Sequence, residues 1–326
     1  MVGFAVVGLG MGRNRARLIK QTEGADLKVV CDQRGDLAEE VAQELKTDCA
    51  TQLDHVLARK DVDVVFVMTE SGRHAEVGIR AAKAGKHVIT TKPMDVSTEA
   101  CDRLIDACEK AGVLCGVDYQ SRYVDGNVKV AEAIKRGWLG KVILGEVRFK
   151  WFRSDEYFLH NGGWRGTWRW DGGGSLANQG AHLLDVLSWF MGDPVSVYGE
   201  MAIMNHKIET EDIGLAILNF ENGAKGTILG TTTFQTNAYF SAEVHGTLGG
   251  ILLTDVLKGE MKVFGDGLQE KLDSVENHVH SIAEDVVNAI TKGTPLAVDG
   301  KEGRRTVALL EAVYRSAREG KPLKLK

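Results

Sequence analysis

An amide, an imidazole and a carboxylate stand about one helical turn apart in the middle of the chain. At ~100° per residue, Asn178, His182, Asp185 and Trp189 fall within an arc of about 60°. Leu183, Leu184, Leu187, Phe190 and Met191 cover the opposite side. Polar groups stacked in this way can converge on one bound molecule, and the imidazole can move a proton near neutral pH. Gly172, Gly173 and Gly174 lead into the stretch, and Gly192, Asp193 and Pro194 end it. The plain alternative is a surface helix whose polar stripe faces water. The three glycines count against it, because they let backbone come close to something.

A second group that could do chemistry is Lys92. It ends the strand-like run Lys86-His87-Val88-Ile89-Thr90-Thr91 and precedes Pro93. Most lysines are solvated surface charges. This one projects from the same sheet edge as the glycine turn Gly8-Leu9-Gly10-Met11-Gly12 and Thr69. Partly desolvated beside a bound cationic group, its pKa would fall, which suits proton transfer from a hydroxyl.

The glycine turn sits between an apolar run at residues 3–8 and a helical pattern from Arg13 to about Glu23. Strand, glycine turn, helix is the setting in which backbone approaches a pyrophosphate. The spacing here is G-x-G-x-G, one residue short of the usual G-x-G-x-x-G. Asp32 ends the next strand, 24 positions after Gly8. An acid there accepts bonds from ribose hydroxyls and repels a 2′-phosphate, favouring NAD over NADP. Arg34 is the counter-argument, since it could pair with that phosphate. Alternatively, Asp32 caps the helix that begins near Leu37.

Trp164-Arg165-Gly166-Thr167-Trp168-Arg169-Trp170 holds three of the six tryptophans. Its rings could stack on a sugar face and its guanidinium forks could clamp a carboxylate or phosphate. The alternative is a tryptophan-rich loop anchored to the core. His278-x-His280 lacks further ligands, and no metal site is expected.

The elements that must position these groups follow from pattern. The 326 residues suggest two domains. Runs at residues 3–8, 27–31, 63–68, 86–90 and 113–117 alternate with helical patterns, as in a doubly wound parallel sheet. After residue 120 come a helix near 126–136 and strand-like runs at 142–150, 195–204, 210–219, 224–233, 242–246 and 249–253. Glu221-Asn222-Gly223 gives a hairpin signal. The reading is therefore α/β plus α+β, with domains at 1–120 and 121–326, the second an open and mostly antiparallel sheet flanked by helices. A sheet with an exposed face predicts a homodimer or homotetramer.

Composition bounds the partners. The formal charge of -5 gives no reason to expect nucleic acid or an anionic membrane surface. No apolar run reaches the ~18 residues of a membrane span. Five scattered cysteines without a C-x-x-C pair, and no secretory pattern at the start, read as reduced thiols in a cytoplasmic protein.

Together these pieces resemble the Gfo/Idh/MocA oxidoreductases, the family of glucose–fructose oxidoreductase and inositol dehydrogenase. The matching residues are Gly8-Leu9-Gly10-Met11-Gly12, Gly85-Lys86-His87-Val88 leading to Lys92-Pro93, Gly172-Gly173-Gly174 leading to Gly180-Ala181-His182-Leu183-Leu184-Asp185, and Tyr314-Arg315-Ser316-Ala317 with Gly320. The resemblance implies a Rossmann domain plus an open α+β domain, with NAD(P) and substrate in the cleft between them. It implies a catalytic pair, Lys92 and His182. Cofactor contacts then fall to Gly8, Leu9, Gly10, Met11, Gly12, Asp32, Arg34, Thr69, His74, Thr91, Lys92 and Gln120. Substrate contacts fall to Lys92, Arg122, Trp164, Arg165, Asn178, His182 and Asp185. Two positions depart from the family pattern: Thr91 replaces the usual glutamate before the lysine, and Asn178 replaces the frequent aspartate four residues before the histidine. The asparagine-glutamine-glycine version is similar to the branch acting on pyranosides and nucleotide-sugar acids.

The implied activity is oxidation of a secondary hydroxyl of a sugar, cyclitol or sugar derivative, with hydride passing to NAD or NADP. Two alternatives accompany it. One is an NAD-dependent glycosidase that oxidises transiently and accumulates no NADH. The other is a non-catalytic regulator that senses dinucleotide, against which Lys92 and His182 both argue.

Overall fold

Short runs of fully buried aliphatic residues make the first sheet. β1 (Val2–Val7) and β4 (Val64–Val67) are buried at every position, the pattern of parallel strands covered on both faces. With them lie β2 (Ala25–Cys31), β3 (Asp48–Ala50), β5 (His87–Thr91) and β6 (Cys115–Asp118) in the order β3-β2-β1-β4-β5-β6. All neighbours are parallel. Helices α1 (Gly12–Gln21), α2 (Gly35–Leu45), α3 (Leu53–Leu57), α4 (His74–Lys83) and α5 (Thr98–Ala111) make the crossovers. The strand order reverses between β1 and β4, so the loops after them flank the crevice where such sheets bind ligands. Strand β3 carries no sequence signal, being three residues long with two of them exposed.

The structure, a computed structural model, describes residues 1–325, and for Asn161 the backbone alone. Its second sheet has eight strands: β7 (Val142–Phe152), β8 (Pro194–Ala202), β9 (Ile213–Phe220), β10 (Lys225–Thr231), β11 (Thr233–Gly246), β12 (Gly250–Asp255), β13 (Glu260–Phe264) and β14 (Leu323–Lys324). The order is β13-β12-β11-β7-β10-β9-β8-β14. Only the β7–β10 pair is parallel, so the sheet is mostly antiparallel as expected. The sequence reading stopped short at β11, which runs from Thr233 and carries bulges before Phe240 that break its alternation.

The remaining helices are α6 (Asp125–Lys135), α7 (Asp155–Leu159), α8 (Ala181–Met191), α9 (Leu268–Asp273), α10 (Ile282–Lys292) and α11 (Gly300–Glu319), of which α10 belongs with the first sheet. One face of the second sheet is covered. A Cβ at Gly145 would strike the Met191 sulfur at 2.6 Å, and one at Gly214 would meet Leu176 at 2.6 Å. Glycine here lets the helix layer pack directly on the strands. The core joins Val147, Phe149, Leu176, Leu183, Leu187, Leu218, Val244, Leu310 and Val313. The opposite face leaves Leu215 and Ile217 of β9 exposed at 41% and 54%.

By packing, the chain divides into two compact units: Met1–Asp118 with Ser281–Arg304, and Tyr119–His280 with the residues from Arg305 on. Residues 281–304 thus belong with the first unit, far along the chain from the rest of it. They are held there by a bond from the Val117 N–H to the Val298 carbonyl at 3.1 Å and by an isolated bridge between Gly116 and Asp299. Such a return of the chain leaves no trace in local hydrophobic periodicity. Among the described residues, no helix is long and apolar enough to cross a membrane.

Candidate functional site

In the first unit, the three glycines of the turn do three jobs. Gly8 takes φ +93°, and its N–H donates to the Cys31 carbonyl at 2.8 Å. Gly12 opens α1, where a Cβ would press on Met68 and Val6 at 3.1 Å. Around Gly10 a Cβ would meet no atom within 4 Å, so backbone is open to a close-approaching group there. Met11 precedes α1 without a side-chain cap, leaving the first N–H groups of the helix for an anion. The shortened G-x-G-x-G spacing thus still builds a cradle that fits a dinucleotide.

Asp32 reaches back to this turn. The Leu9 N–H donates to its Oδ2 at 2.8 Å, while the Arg34 N–H and Nε donate to Oδ1 at 3.0 and 3.1 Å. Burial alone would push the carboxyl up, but the bonds from Arg34 and Leu9 outweigh it and hold Asp32 below the usual carboxylate range. Arg34 is tied to this carboxylate, so a phosphate drawn to the arginine would meet the acid as well.

His74, expected to touch cofactor, does not face outward. It is fully buried, with Nδ1 2.9 Å from the Pro93 carbonyl and Nε2 3.0 Å from the Thr69 carbonyl. This corrects the expectation: the ring bridges the loop after β4 to the turn beyond β5 that carries Lys92. Burial lowers its pKa, against the two carbonyls and Asp95, which favour the charged ring. Lys92 and Thr91 are half-buried at the C-terminal end of β5.

In the second unit, the polar stripe is not a continuous helix. Ser175–Gln179 forms a single π turn, closed by the Gly180 N–H on the Ser175 carbonyl at 2.9 Å, and α8 begins only at Ala181. Such turns recur at functional sites. Asn178 therefore leaves the stripe. Its Nδ2 donates to Asp171 Oδ1 at 2.7 Å, and its Oδ1 accepts from Gln179 Nε2 at 3.2 Å.

The glycines ahead of the turn are also explained differently from the sequence reading. A Cβ at Gly173 would strike the Tyr314 phenol, and one at Gly174 the Glu211 carbonyl. What they let close is the protein itself. Glu211, which sequence reasoning missed, is the hub. Its carboxylate accepts from the Gly174 and Leu176 N–H groups at 2.8 Å each, from Ser175 Oγ at 3.3 Å and from the Tyr314 hydroxyl at 2.9 Å. Its own carbonyl accepts from the Ser175 N–H at 3.0 Å. Burial pushes this carboxyl up to about 7 against four donors that favour the anion. No periodic signal marks Glu211 in the sequence; it lies in the loop before β9.

The stripe's remaining members meet residues 119–123. Tyr119, fully buried, presents an edge contact to the half-buried His182 ring at 6.0 Å. Arg122 donates from Nε and Nη2 to the two oxygens of Asp185 at 2.7 and 2.8 Å and lies 4.6 Å above the Trp189 ring. Both partners are hidden from solvent, with side-chain exposures of 5% and 0%. They were expected to orient a substrate and instead pair with each other; a buried guanidinium demands a carboxylate. Gln120, expected at the cofactor, is exposed and opens the short 3₁₀ turn Gln120–Tyr123.

The tryptophan-arginine stretch divides. Trp168 is anchored, edge-on to Tyr314 at 5.2 Å and beneath Arg318 at 4.3 Å. Trp164 and Arg165 stack on each other at 4.8 Å, and Arg165 also covers the Tyr157 ring at 4.7 Å. Among the described residues, no group of three His, Cys, Asp or Glu side chains could hold a metal ion.

Residues 2–119 match the description of the oxidoreductase family with an NAD-binding Rossmann fold, and residues 127–252 match the GFO/IDH/MocA C-terminal domain. The myo-inositol 2-dehydrogenase of Thermotoga maritima is 26% identical over 99% of this chain and 98% of its own. The crystal structure of the WlbA dehydrogenase from Bordetella pertussis, solved with NADH and UDP-GlcNAcA, is 30% identical with a TM-score of 0.91, covering 100% of this chain and 98% of that one. Its counterpart from Chromobacterium violaceum, with the same two ligands, is 28% identical with a TM-score of 0.92 over 100% and 96%.

Proposed function

The chain belongs to the Gfo/Idh/MocA oxidoreductases, and on that premise we propose that it is an NAD-dependent dehydrogenase oxidising a secondary hydroxyl of a sugar, cyclitol or sugar derivative. The observation that carries the reading is the retention, in one chain, of Lys92 at the C-terminal end of β5 and His182 in the first turn of α8. The inositol dehydrogenase and the two WlbA dehydrogenases named above support the substrate class.

Bound NAD supplies the acceptor for the hydride leaving the carbinol carbon. The residues that would hold it are Gly8, Leu9, Gly10, Met11 and Gly12 at the diphosphate and Asp32 at the ribose, with Arg34 pairing Asp32; Thr69, Thr91 and Gln120 are its further proposed contacts. His74 acts one step back, fixing the carbonyls of Thr69 and Pro93. His182 or Lys92 removes the hydroxyl proton, and the Lys92 ammonium stabilises the developing alkoxide. Asn178, held by Asp171, together with Trp164 and Arg165, orients the substrate. Arg122 and Asp185 position α8 rather than touch the substrate.

Two further readings belong here. The exposed face with Leu215 and Ile217 suits self-association as a homodimer or homotetramer, read by light scattering. The five cysteines are all free, which fits a cytoplasmic location. Incubating the protein with NAD and a panel of polyols, sugars and sugar acids tests the reaction. Stoichiometric NADH formation from one of them is expected. Sugar release without NADH would indicate the glycosidase alternative, and binding of NAD without turnover of any compound would indicate a sensor.

A further inference from the structure

Within the second unit, two guanidinium groups converge on one tyrosine. Arg153, just past the end of β7, has its Cζ 5.2 Å from the Tyr157 centroid, and Arg165 has its Cζ 4.7 Å from the same point. Tyr157 is no bystander: its hydroxyl accepts from Gln179 Nε2 at 2.7 Å, and Arg153 Nη2 donates to Gln179 Oε1 at 3.0 Å. Gln179 in turn bonds Asn178. The cluster is thus tied to the π turn that leads into His182.

The arginines are held but not neutralised. The Arg153 backbone is fixed at both ends, its N–H on the Thr232 carbonyl at 3.0 Å and its carbonyl 2.7 Å from His206 Nε2. His206 is itself buried against Asp212. Each guanidinium has a second ring partner, Arg153 with Trp151 at 4.9 Å and Arg165 with Trp164 at 4.8 Å. Among the described residues, neither arginine pairs with a carboxylate. The nearest acids in sequence, Asp155 and Glu156, are exposed on α7. The Nε atoms of both arginines are buried without a hydrogen-bond partner. A protein rarely stacks two positive charges on one ring and withholds every carboxylate unless an anion arrives from outside.

We propose that Arg153 and Arg165, which share Tyr157 as a ring partner, form an oxyanion clamp, and that the substrate is an anionic sugar derivative. This inference rests on the dehydrogenase reading in that it names the substrate class of that same site. The fork of a guanidinium suits both a carboxylate of a sugar acid and a phosphate of a nucleotide sugar.

Calorimetric titration of the NADH-saturated full-length protein with glucose, glucuronate and UDP-glucose tests the clamp apart from turnover. At least ten-fold tighter binding of glucuronate or UDP-glucose than of glucose is expected, the first pointing to a carboxylate and the second to a phosphate. In Arg153→Gln/Arg165→Gln that preference should vanish while NADH affinity is kept. Arg165→Gln alone, whose side chain makes no hydrogen bond to described residues, gives a variant whose fold is not at risk and should lose most of the preference. No preference for either anion in the wild type, or a preference that survives in both variants, overturns the clamp. Tight anion binding without NADH formation upholds the clamp and counts against the dehydrogenase. NADH formation from neutral sugars with no anion preference does the reverse.

Discussion

Arg122 and Asp185 form a bidentate ion pair sealed from solvent, with the Trp189 ring packed on the guanidinium. The pair fastens residues 119–123 to α8 and so sets the orientation of the helix that carries His182. Removing one partner of a buried pair leaves a charge without compensation, at a cost of about 3–5 kcal/mol. Asp185→Ala should therefore lower the melting temperature by many degrees, and adding Arg122→Met should restore part of it. If Asp185 instead touched substrate, the single variant would keep its melting temperature and raise KM, and thermal denaturation beside steady-state kinetics separates the two.

Glu211 makes the stability of the second unit depend on pH in a stated direction. Its carboxyl is raised from the ordinary 4.5 to about 7 by burial, so the folded chain holds a proton that the unfolded chain releases. Stability from this group is complete below about pH 4.5, declines as pH rises, and is lost above about 7. Glu211→Gln places an amide among donors, including the Gly174 N–H, and should destabilise at low pH by about 1–3 kcal/mol. It should also flatten the slope between pH 5 and 7. Parallel slopes of melting temperature against pH in wild type and variant would refute this.

Asp32 governs the choice of dinucleotide. Bonds to a charged acceptor are worth about 1.5–3 kcal/mol, or roughly ten- to hundred-fold. Asp32→Ser should cut kcat/KM with NAD by about that factor. It should also free Arg34 for a 2′-phosphate, so that the ratio of NADP to NAD activity rises. An unchanged ratio would show that the acid serves only to hold the Leu9 N–H and Arg34.

Five strands of the first sheet were legible because each carries buried apolar residues between helical patterns, and β/α alternation admits few topologies; the short, exposed β3 was not. The glycine turn, Asp32 and the helix of His182 were legible for the same local reason. Long-range pairings were not. His74 was expected to touch cofactor, yet both of its nitrogens lie against carbonyls of Pro93 and Thr69. The polar stripe assumed an uninterrupted 3.6-residue period, which the π turn at Ser175–Gln179 breaks. Glu211 lies 35 residues from Leu176, which it holds, and no spacing rule connects them. Arg153 gave no signal, because its significance lies in the carboxylate it lacks.

The central claim is that Lys92 acts on the reacting hydroxyl rather than on cofactor binding, and the kinetics of Lys92→Met test it most directly. With the substrate found by the NADH screen, turnover should fall by at least ~10³-fold, within the range ascribed to a positioned proton-transfer group. The NADH dissociation constant from fluorescence titration should stay within about two-fold of wild type. Turnover near the wild-type value, with cofactor binding intact, would contradict the account.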